Sequence, residues 1–221
     1  GSPVWNSPAT YNGPFSNDDR ALDMSVDASN NIFVIGYSQT GQGTSSDDGA
    51  LVRFNSGGSQ TGVFSYDGTG AGDDQGIAVA INSANEVVAV FLSDADGDPA
   101  VSNFNMVTFK LDNSLANFLW SQPAEFDGAI GGDDFPVKLA VAPSGDIFVS
   151  GNTEALITPT SVNYDMLVVR YDNASGAQTW LTTYDGPASG DDEANAILLN
   201  GTALTVAGFS EGIPTLQRDA V

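Results

Sequence analysis

The chain contains no cysteine and no histidine. Without thiols there is no disulfide framework, no thiolate nucleophile and no thiolate metal site. Without imidazole there is no Ser-His-Asp or Cys-His arrangement and no histidine-ligated zinc. Positive charge is nearly absent as well: 6 Lys+Arg stand against 28 Asp+Glu, for a formal net charge of -22. Such a surface repels a phosphate backbone, which excludes nucleic acid as a partner and disfavours an anionic membrane surface. No apolar run approaches the roughly 18 to 20 residues that span a bilayer, so membrane insertion is not expected. No segment keeps apolar residues at helical spacing for the length of a helix, and 25 glycines with 10 prolines argue the same way.

What is present is a repeat. The stretches "YNGPFSNDDR" from Tyr11, "YDGTGAGDDQG" from Tyr66, "FDGAIGGDDF" from Phe126 and "YDGPASGDDE" from Tyr184 are variants of one pattern. Their aspartate pairs, Asp18-Asp19, Asp73-Asp74, Asp133-Asp134 and Asp191-Asp192, mark a period of roughly 60 residues. After each pair comes an apolar run, a tight turn and a second apolar run, as in "PVKLAVAPSGDIFVSGNT" from Pro136. The turns contain Ser29-Asn30-Asn31, Ser144-Gly145-Asp146 and Asn200-Gly201, residues that tolerate the positive φ a hairpin demands. A polar loop then leads to a third strand ("GALVRFNSGG", "NMVTFKLDNS", "DMLVVRYDNASG") and a fourth carrying an aromatic, such as "AQTWLTTYDG" from Ala177. Four antiparallel strands per unit, stacked on their neighbours, describe an all-β propeller of four blades. The whole chain, 1–221, reads as one such domain, with repeat landmarks at 11–19, 66–74, 126–134 and 184–192.

The run from Trp180 through Tyr184, Asp185-Gly186 and Asp191-Asp192, with the third-strand form "DMLVVRYD" and a following Ser-Gly and Trp, resembles the bacterial propeller repeats called SBBP and the similar delta-60 repeats. The resemblance covers essentially the whole chain. It implies the propeller fold, modules of large secreted or surface-attached proteins, and no catalytic activity. Members commonly have more than four blades, and the second copy departs from the pattern in having Phe64 near the position of Trp5, Trp120 and Trp180.

The opening "SPVWNSPATYNG" matches a fourth strand and the closing "TLQRDAV" a third, so the expectation is a ring closed by pairing of Trp5 to Gly13 with the last blade, 194 to 221. Donation of the same strand to a neighbouring molecule, or membership in a longer propeller, are the alternatives. The start Gly1-Ser2-Pro3 has no leader pattern and is read either as the product of a removed signal peptide or as an added Gly1-Ser2. The Asp-rich, Lys-poor balance points to a secreted or cell-surface protein of a salty or calcium-rich medium.

Candidate sites are mostly carboxylates. The eight aspartates of the pairs (Asp18, Asp19, Asp73, Asp74, Asp133, Asp134, Asp191, Asp192) precede the innermost strands, where crowding demands either local backbone hydrogen bonds or a hard cation such as Ca²⁺. "SDADGDPA" places Asp94, Asp96 and Asp98 around Gly97. Its glycine falls before the third aspartate and position twelve is Asn105, so it is either a looser calcium loop or a solvated acidic loop. Ca²⁺ is the expected cation, and no organic cofactor is expected.

Arg53, Lys110 and Arg170 recur at one third-strand position and are expected to lie against carboxylates. Trp5, Trp120, Trp180, Tyr11, Tyr66, Phe126 and Tyr184 read as packing between blades, and Phe15, Phe104 and Tyr164 as the aromatics free to meet a ligand. The functional expectation is a non-enzymatic structural or adhesive module that binds a glycan or protein partner and is stabilised by calcium. Its alternatives are a self-assembling subunit joined by strand exchange through the N-terminal strand, and a polysaccharide-active enzyme using two carboxylates, for which no particular pair stands out.

Overall fold

The computed structural model describes residues 5, 7–40, 46–68, 72–95, 103–159, 161–212 and 217–220, and the described secondary structure is β throughout. Among the described residues fifteen strands form four antiparallel sheets, each a meander in chain order. The first holds β1 (Asp19–Val26), β2 (Ile32–Thr40), β3 (Ser46–Phe54) and β4 (Gln60–Tyr66). The second holds β5 (Asp74–Ile81), β6 (Val87–Asp94), β7 (Phe104–Leu111) and β8 (Ala124–Phe126). The third holds β9 (Asp134–Val141), β10 (Ile147–Thr158), β11 (Ser161–Tyr171) and β12 (Gln178–Tyr184). Three strands are described in the fourth: β13 (Asp192–Asn200), β14 (Ala203–Gly212) and β15 (Gln217–Ala220).

Turn chemistry fixes the hairpins as the sequence predicts. Asp27 Oδ1 accepts the N–H groups of Ser29 and Asn31, both at 2.8 Å, and Asn30 takes φ 61°. Asn82 Oδ1 does the same for Ala84 and Glu86. The third and fourth copies use Gly145 (φ 92°) and Gly201 (φ 62°) instead. A register shift of the bulge type recurs near the start of the first strand of every sheet, between Ala21/Asp23, Gly76/Ala78 and Ala194/Ala196 and, in the third sheet, opposite Ser150/Gly151. Such a shift sharpens the local twist, and here it does so once per repeat.

The sheets pack face to face in chain order, β5 against the first sheet, β9 against the second and β13 against the third. The run "VVAVF" in β6 shows why it is apolar without alternation. Val87, Ala89 and Phe91 pack toward Phe33, Ile35 and Leu51, while Val88 and Val90 pack toward Ile147, Val149 and Leu167. All five β6 residues are fully buried, each large side chain contributing about 1.5 to 3 kcal/mol. Where the first, third and fourth sheets have glycine on the second strand (Gly36, Gly151, Gly208), the second has Phe91; its cross-strand partner is Gly76, under Ile35.

A closed ring is not among the features of the described residues. Ser7 to Gly13 form no strand, and Trp5 instead donates its indole N–H to Ser56 O, 3.0 Å away in the β3–β4 turn. β1 and β13 share no packed interface of the kind that joins successive sheets. Several apolar residues of these two strands stay in solvent, among them Leu22, Met24 (61 % exposed) and Val26 of β1 and Leu198 (65 %) of β13.

Candidate functional site

The two aspartates of each pair have different work. The second opens the first strand of its sheet and accepts the N–H of the glycine six residues earlier: Gly13 to Asp19 at 3.1 Å, Gly68 to Asp74 at 2.7 Å, Gly128 to Asp134 at 2.5 Å and Gly186 to Asp192 at 2.7 Å. Opposite each stands a hydroxyl on the second strand, Ser38, Ser93, Thr153 or Ser210. That hydroxyl and the carboxylate leave no room for a Cβ at the glycine, which explains why all four stretches have Gly there. Asp74, Asp134 and Asp192 are wholly buried. Burial is the largest effect on Asp74 and Asp134; the neighbouring hydroxyl and glycine N–H offset it in part, and both carboxyls end raised to about 6. In all four copies Oδ1 has no hydrogen-bond partner.

The first aspartate reaches back to the preceding sheet. Asp73 Oδ1 accepts Asp47 N–H (3.0 Å), Asp133 Oδ1 accepts Phe104 N–H (3.1 Å), and Asp191 Oδ1 accepts Tyr164 N–H (3.2 Å), each at the start of the preceding third strand. Its carbonyl holds its own second strand: the carbonyls of Asp18, Asp73, Asp133 and Asp191 accept the N–H groups of Gln39, Asp94, Glu154 and Glu211 respectively. The pairs are thus supplied with backbone donors sheet by sheet.

One group of carboxylates does converge. Asp165 on β11, Asp185 just past β12 and Asp192 on β13 each bring an oxygen within 4.8 Å of the others, a set that can hold a metal ion. Among the described residues no other three carboxylates come so close. Asp165 is raised to about 6 by burial and then by Asp185, with Asn163 partly offsetting this and Asp192 adding to it. Asn163 Nδ2 donates to Asp165 Oδ1 (3.0 Å) and to Gly190 O (2.8 Å), fixing the β11 end of the group. Of the eight paired aspartates only Asp192 belongs to it. Asp165 and Asp185 were not distinguished by sequence reasoning; the available signal was the recurring acid in "YDG" and the acid opening "DMLVVRYD". Equivalent positions carry Asp48, Asp67 and Asp74 at the first junction and Asn105, Asp127 and Asp134 at the second.

The expected loop site is only partly visible. Asp94 ends β6 with its N–H on Asp73 O, whereas Asp96 and Asp98 lie outside the described residues. The recurring cations behave largely as expected. Lys110 meets Glu86 (2.7 Å) and Arg170 meets Asp146 (2.6 Å), each from the first hairpin of its own sheet. Arg53 bonds Thr61 Oγ1 (3.1 Å) and lies over Phe33, because Asn31 stands where the second and third copies have Glu86 and Asp146.

Aromatics join consecutive sheets. Trp120 is buried against Gly176, with its N–H on Asn173 O at 3.0 Å. Trp5 repeats the arrangement on Gly58 and Ser56. Phe64 packs edge-on to Phe91, Phe109 and Phe118, and Tyr66 joins them, so the departure at Phe64 is absorbed by an aromatic cluster. Trp180 and Tyr184 instead remain 43 and 44 % exposed, beside a cleft of about 450 Å³ that also touches Met166, Leu204 and Val206. Of the three aromatics expected to be free, Phe15 is exposed. Phe104 and Tyr164 flank Phe135, each with ring centroids 5.7 Å from it. This half-buried row crosses from the second sheet to the third beside Asp133, whose Oδ2 lies 3.5 Å from Tyr164 Oη. Burial first, then Asp133 and Glu154, push the Tyr164 phenol up to about 12, so it remains a donor at neutral pH. No family model matches the chain, and no curated protein matches it in sequence.

Proposed function

We propose that the chain is a non-enzymatic binding module of a secreted or cell-surface propeller protein, of the kind its repeat resembles, and that its ligand is a neutral glycan. The observation that carries this reading is the row Phe104, Phe135, Tyr164. Partly exposed aromatic faces suit the apolar face of a sugar ring, and the adjoining Asp133 and Glu154 carboxylates suit its hydroxyls. The net charge of -22 disfavours sulfated or uronic chains. Calcium is the cation this reading assigns, as a brace of the module. A glycan array with neutral and anionic polysaccharides, run beside an assay for new reducing ends, tests it: binding to neutral chains that Phe135→Ala abolishes is expected, and release of reducing ends would refute it.

A second reading is favoured by a separate observation, the exposed apolar residues of β1 and β13. In it the propeller is completed by a second copy, whose 5–13 segment adds to β15 and whose first sheet covers β13, extending the interface that already joins successive sheets. Light scattering across concentration decides it; a strict monomer would favour closure within one chain.

A further inference from the structure

We propose that the junction of the third and fourth sheets is a calcium site at which Asp165, Asp185 and Asp192 place three carboxylates on one Ca²⁺. The inference rests on the calcium part of the reading above and is independent of the glycan part. Ca²⁺ binds oxygens at about 2.3 to 2.6 Å, so two ligands on opposite sides of it are roughly 4.6 to 5.2 Å apart. Three carboxylate oxygens that all lie within 4.8 Å of one another are within the reach of one such ion.

A second observation points to a ligand independently of the acids' proximity. Asp192 is fully buried, yet its Oδ1 has no partner, and Ser210 Oγ, buried across the strand pair, has none either. Both atoms lie over Gly186. The unpartnered Oδ1 recurs at Asp19, Asp74 and Asp134, whereas among the four hydroxyls opposite these aspartates only that of Ser210 has no partner, which sets this junction apart. A single shared proton would relieve one pair of oxygens and leave the third carboxylate and the hydroxyl as they are. Among the described side chains, Lys110, Lys138 and Arg170 are held by Glu86, Asp23 and Asp146, and Arg53 bonds Thr61. A divalent cation with water completing its shell satisfies every group together.

The repeat supplies an internal control. At the preceding junction Asn105 occupies the Asp165 position and spends its Nδ2 on Glu125 (3.1 Å), which removes one charge from the set. The ligands come from β11, the exit of β12 and the start of β13, so the bound ion ties the third sheet to the fourth. Three carboxylates around a doubly charged ion, with water in the remaining positions, belong with the weaker extracellular calcium sites, Kd about 10⁻⁴ to 10⁻³ M.

The test is calorimetric titration of Ca²⁺ into the chelator-stripped chain, with thermal melting in millimolar calcium and in chelator. One site in that Kd range is expected, with a higher Tm in calcium. Asp165→Asn and Asp185→Asn should each weaken binding at least about tenfold and remove the calcium-dependent rise, while Asp48→Asn leaves both unchanged. Asp165→Asn installs the side chain that the second sheet already carries at this position, and near-ultraviolet circular dichroism confirms that it folds. Absence of both heat and Tm shift in the wild-type chain overturns the site, as does wild-type affinity in the folded Asp165→Asn and Asp185→Asn variants. A chain that binds neutral glycan but no Ca²⁺ overturns this inference alone; one that binds Ca²⁺ at these residues but no glycan supports it and overturns the glycan reading.

Discussion

Replacing Asp134 by asparagine should stabilise the protein at neutral pH, although it removes a member of a fourfold repeated feature. Asp134 is buried, its Oδ2 accepts Gly128 N–H at 2.5 Å, its Oδ1 has no partner, and its carboxyl is raised from 3.8 to about 6, chiefly by burial. Between those two values the native state holds a proton that the unfolded chain releases. Its contribution is therefore fully present below pH 3.8, declines as pH rises, and is lost above about 6. Full transfer of that shift would cost the native state about 3 kcal/mol at pH 7.5; allowing for screening, about 1 to 2 kcal/mol is expected. The substituted amide keeps an oxygen for Gly128 and turns its NH₂ toward Thr153, the cross-strand partner. In urea titrations from pH 4 to 8, D134N should exceed wild type by about 1 to 2 kcal/mol at pH 7.5 and match it near pH 4. D134A, which loses the Gly128 bond, should be about 1 to 3 kcal/mol less stable throughout. If D134N is destabilised at pH 7.5, or differs from wild type by the same amount at every pH, the assignment of a penalised buried carboxylate is wrong.

Other substitutions separate further terms, all readable by urea denaturation. Lys110 is buried, with Glu86 at 2.7 Å and Asn173 Oδ1 at 2.7 Å; Glu86→Gln leaves the ammonium without a counter-charge and should cost about 2 to 3 kcal/mol, more than the about 1 kcal/mol expected of Lys110→Met. Gly145→Ala should cost about 2 kcal/mol, because φ is 92° and the new Cβ meets the Asn173 side chain that holds Lys110. Gly201→Asn, at φ 62° with open space around it, should stay within about 0.5 kcal/mol of wild type.

The repeat, the strand pairs and the turn residues could be read in advance because each is a local property. Asn30, Gly145 and Gly201 all take the positive φ their types allow. That Lys110 and Arg170 meet carboxylates was legible from their recurrence in so acidic a chain, whereas the particular acids, Glu86 and Asp146, came from the structure. The convergence of Asp165, Asp185 and Asp192 was not legible, because they come from a third strand, a fourth-strand exit and the next first strand. Contiguous Asp-Asp doublets attracted the reading, yet backbone donors fall between Asp191 and Asp192 and send one to Tyr164 and the other into the group. Phe135 was missed for want of a counterpart: Arg20, Gln75 and Glu193 occupy its place elsewhere. Ring closure was inferred from the phase of the repeat, whereas the described N-terminal contacts are those of Trp5 with the first sheet.

The backward reach of Asp73, Asp133 and Asp191 sets the grain at which this protein can change length. Each unit finishes the one before it, so the beginning of a third strand is secured only after the following aspartate pair has been synthesised. During translation every new unit would lock its predecessor, a nearest-neighbour scheme in which order spreads from the first unit toward the last. Gain or loss of a whole unit keeps every donor matched to an acceptor, while a cut inside a unit strands one on each side. Duplication and deletion in such a chain should therefore proceed in entire repeats.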